Sequence, residues 1–79
     1  MNRDEFKAAW DASPHPLRMV VTKKNRAEIW AHSYSIAPSK YEFDDGTVDC
    51  YEELTLCQVR VGSPHIVANI HLEDVEVVR

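Results

Sequence analysis

Two prolines, Pro14 and Pro16, close the one stretch of this chain that has a helical period, and that limits what the remainder can be. Ahead of them Phe6, Ala9 and Trp10 fall at i, i+3 and i+4, a single apolar stripe. Asn2 stands as an N-cap with Glu5 three residues on, the pattern of a capping box. The spacing predicts a helix over residues 2–12. Proline offers no backbone N–H and clashes with the preceding turn, so the helical ladder stops at Ser13. A helix of about ten residues is marginal alone in water, and its stripe must pack on something else.

Downstream of the prolines the sequence has strand character. Leu17 to Thr22 reads as a strand and Lys23-Lys24-Asn25-Arg26 as a polar turn. Ala27 to Ile36 reads as a second strand, apolar on both faces, with the helix covering its small-residue side. Ala37-Pro38-Ser39 breaks it. Leu54 to Val61 is a β-branched strand, Gly62-Ser63-Pro64 a turn, and Ile66 to Leu72 alternates Ile66, Ala68 and Ile70 against Val67, Asn69 and His71. One tight helical turn around Glu73 and Asp74 precedes a last short strand. The expected fold class is α+β: an N-terminal helix packed on a strongly bent antiparallel sheet, or small barrel, of five to six strands. With 79 residues the chain makes one domain, 1–79, with its β-region over 17–79.

Charge is distributed unevenly. Residues 1–40 hold seven Lys/Arg against four Asp/Glu (+3), and residues 41–79 hold two against nine (−7). The acidic half should repel nucleic acid backbone, so direct nucleic acid binding is not expected. Within YEFDDGTVDCYEE, residues 41–53, six carboxylates occur without a lysine or arginine. Asp45-Gly46 suits a two-residue hairpin turn. That turn would set Glu42 opposite Asp49 and Tyr41 opposite Cys50. Tyr41, Phe43, Val48 and Cys50 would then share an apolar underside, and Glu42, Asp44, Thr47, Asp49 and Tyr51 the outer face. Opposed Glu42 and Asp49 would cost up to about 1 kcal/mol. Such a face either guards a sheet edge against aggregation or docks on a cationic partner, with tyrosine as anchor. The expected partner-binding residues are Glu42, Asp44, Asp49, Tyr51, Glu52 and Glu53.

Catalytic and metal-binding chemistry finds little support. His15, His32, His65 and His71 show no HxxxH or HExxH spacing. His65, Asn69 and His71 share strand parity and could meet Cys57, but histidines on a polar strand face are usually plain surface residues. Cys50 and Cys57 match no CxxC motif and read as two buried, reduced thiols. Two glycines are too few for a phosphate-cradling loop. The expectation is a protein that is not an enzyme and takes no metal or cofactor. No apolar run is long enough to span a membrane, and MNRDEFKAAW lacks a signal-peptide core, so a cytoplasmic location is expected.

The run YEFDDGTVDCYEEL, with HLEDVEVV after it, resembles the Src-homology-type and Tudor-like small barrels, where a tight helical turn precedes the closing strand. That resemblance implies a module for a basic or methylated peptide, with Trp30, Tyr34 and Tyr51 as candidates for a cage. In size and acidity the chain is also similar to phage-encoded inhibitors such as the anti-CRISPR proteins. This second resemblance implies a non-enzymatic inhibitor and DNA mimic that occupies a basic, nucleic-acid-binding surface of a partner protein. That is the leading expectation, and the Tudor-like module is the alternative.

Overall fold

The structure, a computed structural model, describes residues 1–78; Arg79, the last residue of the expected β-region, lies outside the described residues. The chain runs α1 (Arg3–Asp11), β1 (Arg18–Thr22), β2 (Glu28–Ala31), β3 (Ser33–Glu42), β4 (Val48–Arg60) and β5 (Ser63–His71). A 3-10 turn at Leu72–Asp74 then leads into β6 (Val75–Val78). The strands form two antiparallel three-stranded sheets, ordered β2-β1-β6 and β3-β4-β5. The α+β class therefore holds, whereas the single five-to-six-stranded sheet or barrel does not.

Helix α1 begins as its sequence dictates. The Asn2 side chain accepts the Glu5 amide at 2.8 Å, and the Glu5 carboxylate accepts the Asn2 amide at 3.0 Å. Its far end is held by a residue from another element. Arg18 of β1 donates through Nε to the Trp10 carbonyl at 2.8 Å and through a terminal nitrogen to the Ser13 carbonyl at 3.2 Å. The same guanidinium lies 4.9 Å from the centroid of the Trp10 ring. A cation at a helix C-terminus satisfies carbonyls that have no partner of their own and opposes the negative end of the dipole.

The core lies between the sheets, with α1 laid on it. Phe6 and Trp10 pack with Val20 and Val75 of the first sheet, Leu54 and Leu56 of the second, and Ala31 and Leu72. Tyr34 reaches in from β3 and meets both helix rings edge-on, at 4.8 and 4.9 Å between centroids. Burying each of these large side chains is worth about 1.5–3 kcal/mol, which is how a short helix and short strands hold together.

Several boundaries differ from the sequence expectation: the strand expected from Leu54 begins at Val48, continuous with the hairpin, and the one expected from Ile66 begins at Ser63. Three further differences have local reasons. The strand expected over Ala27–Ile36 divides at His32, where the chain leaves one sheet for the other. There the His32 amide donates to the Cys57 carbonyl at 2.8 Å, and His32 Nδ1 accepts the Val59 amide at 3.0 Å. Ala37-Pro38-Ser39 does not end a strand, because β3 is an edge and runs on to Glu42. Pro38 sits opposite Glu52 at a site whose missing N–H points away from the ladder, the place where an edge tolerates proline. The turn expected at Gly62-Ser63-Pro64 falls one residue earlier, at Val61-Gly62. Both residues have positive φ (53° and 77°), and Arg60 pairs with Ser63.

Candidate functional site

The shape of the molecule points to the hairpin of β3 and β4. A compact chain of this length has a radius of gyration near 11.6 Å, whereas this one measures 13.5 Å with extents of 44 × 27 × 22 Å. The thirteen residues of β4 alone span about 40 Å at 3.3 Å per residue. Only its middle, Leu54 and Leu56, is buried in the core. Beyond that point β3 and β4 continue as an arm, and every residue from Lys40 to Cys50 is exposed.

The turn at the tip fixes what the arm displays. Gly46 adopts φ +87° and donates to the Phe43 carbonyl at 3.0 Å, while the Phe43 amide donates to the Thr47 carbonyl at 2.9 Å. This is a three-residue loop, a tight turn followed by a left-handed glycine, and not the two-residue turn expected at Asp45-Gly46. Asp45 secures it: its Oδ1 accepts the Thr47 amide at 3.0 Å and the Thr47 hydroxyl at 2.7 Å. Those two bonds, the hydroxyl's first, hold the Asp45 carboxyl below its ordinary value. The extra loop residue shifts the register by one. Tyr41 now faces Asp49, Glu42 faces Val48, and Lys40 faces Cys50.

A one-residue slip exchanges faces on one strand relative to the other. The six expected binding residues therefore do not form one plate. Asp49, Tyr51 and Glu53 share the outer face of the sheet, turned away from the core. Glu42 and Glu52 lie on the opposite side, and Asp44 sits in the turn. Both carboxylates on that opposite side have cationic neighbours, Glu52 with Arg3 of α1 at 2.6 Å and Glu42 with Lys40 at 3.5 Å. Asp49 and Glu53 have no ion pair among the described residues.

The aromatics move with the register. Tyr41 and Phe43, expected on an apolar underside, stand on the outer face beside Asp49. They are 58 % and 48 % exposed and meet edge-on at 4.9 Å. Farther down, Tyr51 stacks on His71 of β5 with centroids 3.8 Å apart and planes 8° from parallel, and the Ser39 hydroxyl donates to the Tyr51 oxygen at 3.3 Å. Glu53 pairs directly across from His71. Phe43, Tyr41, Tyr51 and His71 thus run down the outer face interleaved with Asp49 and Glu53. Sequence reasoning missed Tyr41, Phe43 and His71. The signal for the first two was Asp44-Asp45-Gly46, which suits a three-residue loop as well as Asp45-Gly46 suits a two-residue one.

Other expected groupings are dispersed. Tyr34 is in the core, Tyr51 is on the opposite face of the same sheet, and Trp30 belongs to the other sheet, 45 % exposed; these rings form no cage. A bulge at Leu56/Cys57 leaves Val67 as the extra residue, which by strand parity puts His65 on the other face from Asn69 and His71. It also turns Ile66 outward. No group of three potential metal ligands occurs among the described residues. Cys50 is exposed and Cys57 half-buried, so the thiols are free but not the buried pair expected. The arm's base and the start of α1 border an open groove of about 810 Å³, lined by Asn2, Arg3, Lys23, Tyr51, Glu52 and Glu73 among others. No helix is long and apolar enough to cross a membrane. Compared with known proteins, the chain matches no family model, no curated protein and no solved structure.

Proposed function

We propose that the protein is a non-enzymatic binding protein whose β3–β4 arm takes hold of a basic surface on another protein. The observation that carries this reading is the outer face of the arm, where exposed aromatic rings alternate with carboxylates that lack ion pairs. A ring face attracts a cation and a carboxylate pairs with it, so the two together suit the flat guanidinium of arginine best. Nothing in the core requires Tyr41 or Phe43 to be where they are, and their exposure costs solubility unless a partner covers them. Basic surfaces of this kind commonly serve nucleic acids, and an arm seated on one would exclude the nucleic acid, as an inhibitor of the anti-CRISPR type does. The acidic arm itself repels a phosphate backbone.

A titration with an arginine-rich peptide, followed by Tyr or Trp fluorescence, tests the reading. Binding should weaken as salt rises, and the double variant D49K/E53K should lose at least about tenfold in affinity, roughly 1.4 kcal/mol. A lysine-rich peptide of equal charge should bind more weakly. Equal binding by the folded double variant, or no binding by the wild type, would remove the arm from consideration. Where a basic partner is found, a DNA duplex should displace the protein from it.

A further inference from the structure

We propose that two copies of this chain associate about a two-fold axis by antiparallel pairing of β5 with β5, giving one continuous six-stranded sheet. Strand β5 ends the order β3-β4-β5, so one side of its backbone lacks a ladder partner. An open edge of this length is a template for another strand, and proteins usually guard it with charge or proline. The other three edges are guarded in that way: β2 carries Glu28, β6 carries Glu76, and β3 carries Pro38, Lys40 and Glu42. Strand β5 has a single such guard, Pro64 beside its first residue; the seven residues that follow, His65–His71, hold no proline, and residues 61–72 include no Asp, Glu, Lys or Arg.

The identity of the occupant follows from that neutrality. At a two-fold interface each residue lies near its own copy or near a symmetric pair, so a net charge on the strand would meet itself. In a chain of net charge −4, a twelve-residue neutral run along a free edge is the place where two copies approach without repulsion. Apolar side chains surround it. Val59 pairs with Pro64 and Cys57 with Ile66, and Val59 and Ile66 are 51 % and 65 % exposed on the outer face. Pairing across β5 would bring each of these patches against the second copy. The arms stay free, since β3 is the far edge of the sheet, and the two-fold would send them to opposite ends.

Light scattering on a sizing column, with the full chain, reads the outcome directly. The wild type should show twice the 9.1 kDa chain mass at high concentration and fall toward the monomer on about hundredfold dilution. I66K should be monomeric throughout with an unchanged circular dichroism spectrum, because Ile66 is exposed and its loss leaves no cavity. Amide exchange supplies a second reading: backbone amides of β5 should slow with concentration in the wild type only. A wild type that stays at the monomer mass at every concentration would overturn the proposal, and so would a folded I66K that dimerises as tightly. Neither result bears on the arm, whose peptide binding per chain should be the same in I66K.

Discussion

At the residue scale, single side chains in this protein decide conformations that the surrounding pattern leaves open. Asp45 is the clearest. Its carboxylate accepts two bonds from Thr47, and only the ionised form accepts both well. Because the folded state lowers its pKa, the stabilisation is complete above the unfolded value near 3.8 and disappears as pH falls through the lower folded value. The Thr47 amide should therefore keep its chemical shift and protection at pH 5 and lose both on acidification below that range, while core amides are still folded. Lys7 behaves in the opposite sense. Its bond to Asp11 raises its pKa, so on the basic side the ammonium keeps its charge beyond its ordinary range, and deprotonation breaks the exposed pair only in strong base. Val61 presents the reverse of a good choice, a β-branched residue at φ 53° and fully exposed. Left-handed backbone costs a non-glycine residue about 1–2 kcal/mol, which asparagine partly avoids. V61N should raise the melting temperature without altering the fold. Arg18 is the counter-case. R18A removes two charge-assisted bonds to the end of α1, each worth about 1.5–3 kcal/mol, and thermal melts should show a loss of that order.

At the scale of elements, the arm and the strands of the core are the same strands in different surroundings. Between Leu54 and Leu56 β4 is buried on its inner face; a few residues earlier it is wet on both. Backbone ladders without apolar cover open easily. Amides of residues 41–49 should exchange far faster than those of residues 54–56, and tip substitutions such as Y41S or F43S should leave global stability within about 0.5 kcal/mol. Much of the element order was legible in the sequence, because amphipathic period, caps and turn residues act locally, but β2 and β3 were not separable there and β4 was not readable as one strand from Val48. Helix α1, the 3-10 turn at Leu72–Asp74 and the strand after it all lie where those signals put them. The register of the arm was not legible. Asp44-Asp45-Gly46 supports two turn lengths that differ by one residue, and that one residue decides whether Tyr41 lies with the acids or behind them. The split at His32 was equally hidden, since the bonds that turn the chain there come from Cys57 and Val59, some 25 residues away.

For the whole molecule, stability rests on one small shared core, so it should fail as a unit. Leu54 and Leu56 are fully buried in the cluster that both sheets share, and replacing either with alanine costs about 2–5 kcal/mol. A domain of this size holds little more than that in reserve. L54A or L56A should therefore unfold both sheets in one transition, at or near room temperature in a urea titration. What the amino-acid sequence determined by itself is the inventory: a capped helix, strands with turns between them, and an acidic second half. Each of these depends on neighbours within a few residues. Tertiary structure alone decided that six strands divide into two sheets, that the hairpin projects as an arm, and that Asp49, Tyr51 and Glu53 join Tyr41, Phe43 and His71. The reason is physical. Strand pairing and face assignment depend on long-range contacts and on a register with a period of two, so a shift of one residue, worth little locally, rearranges the entire surface.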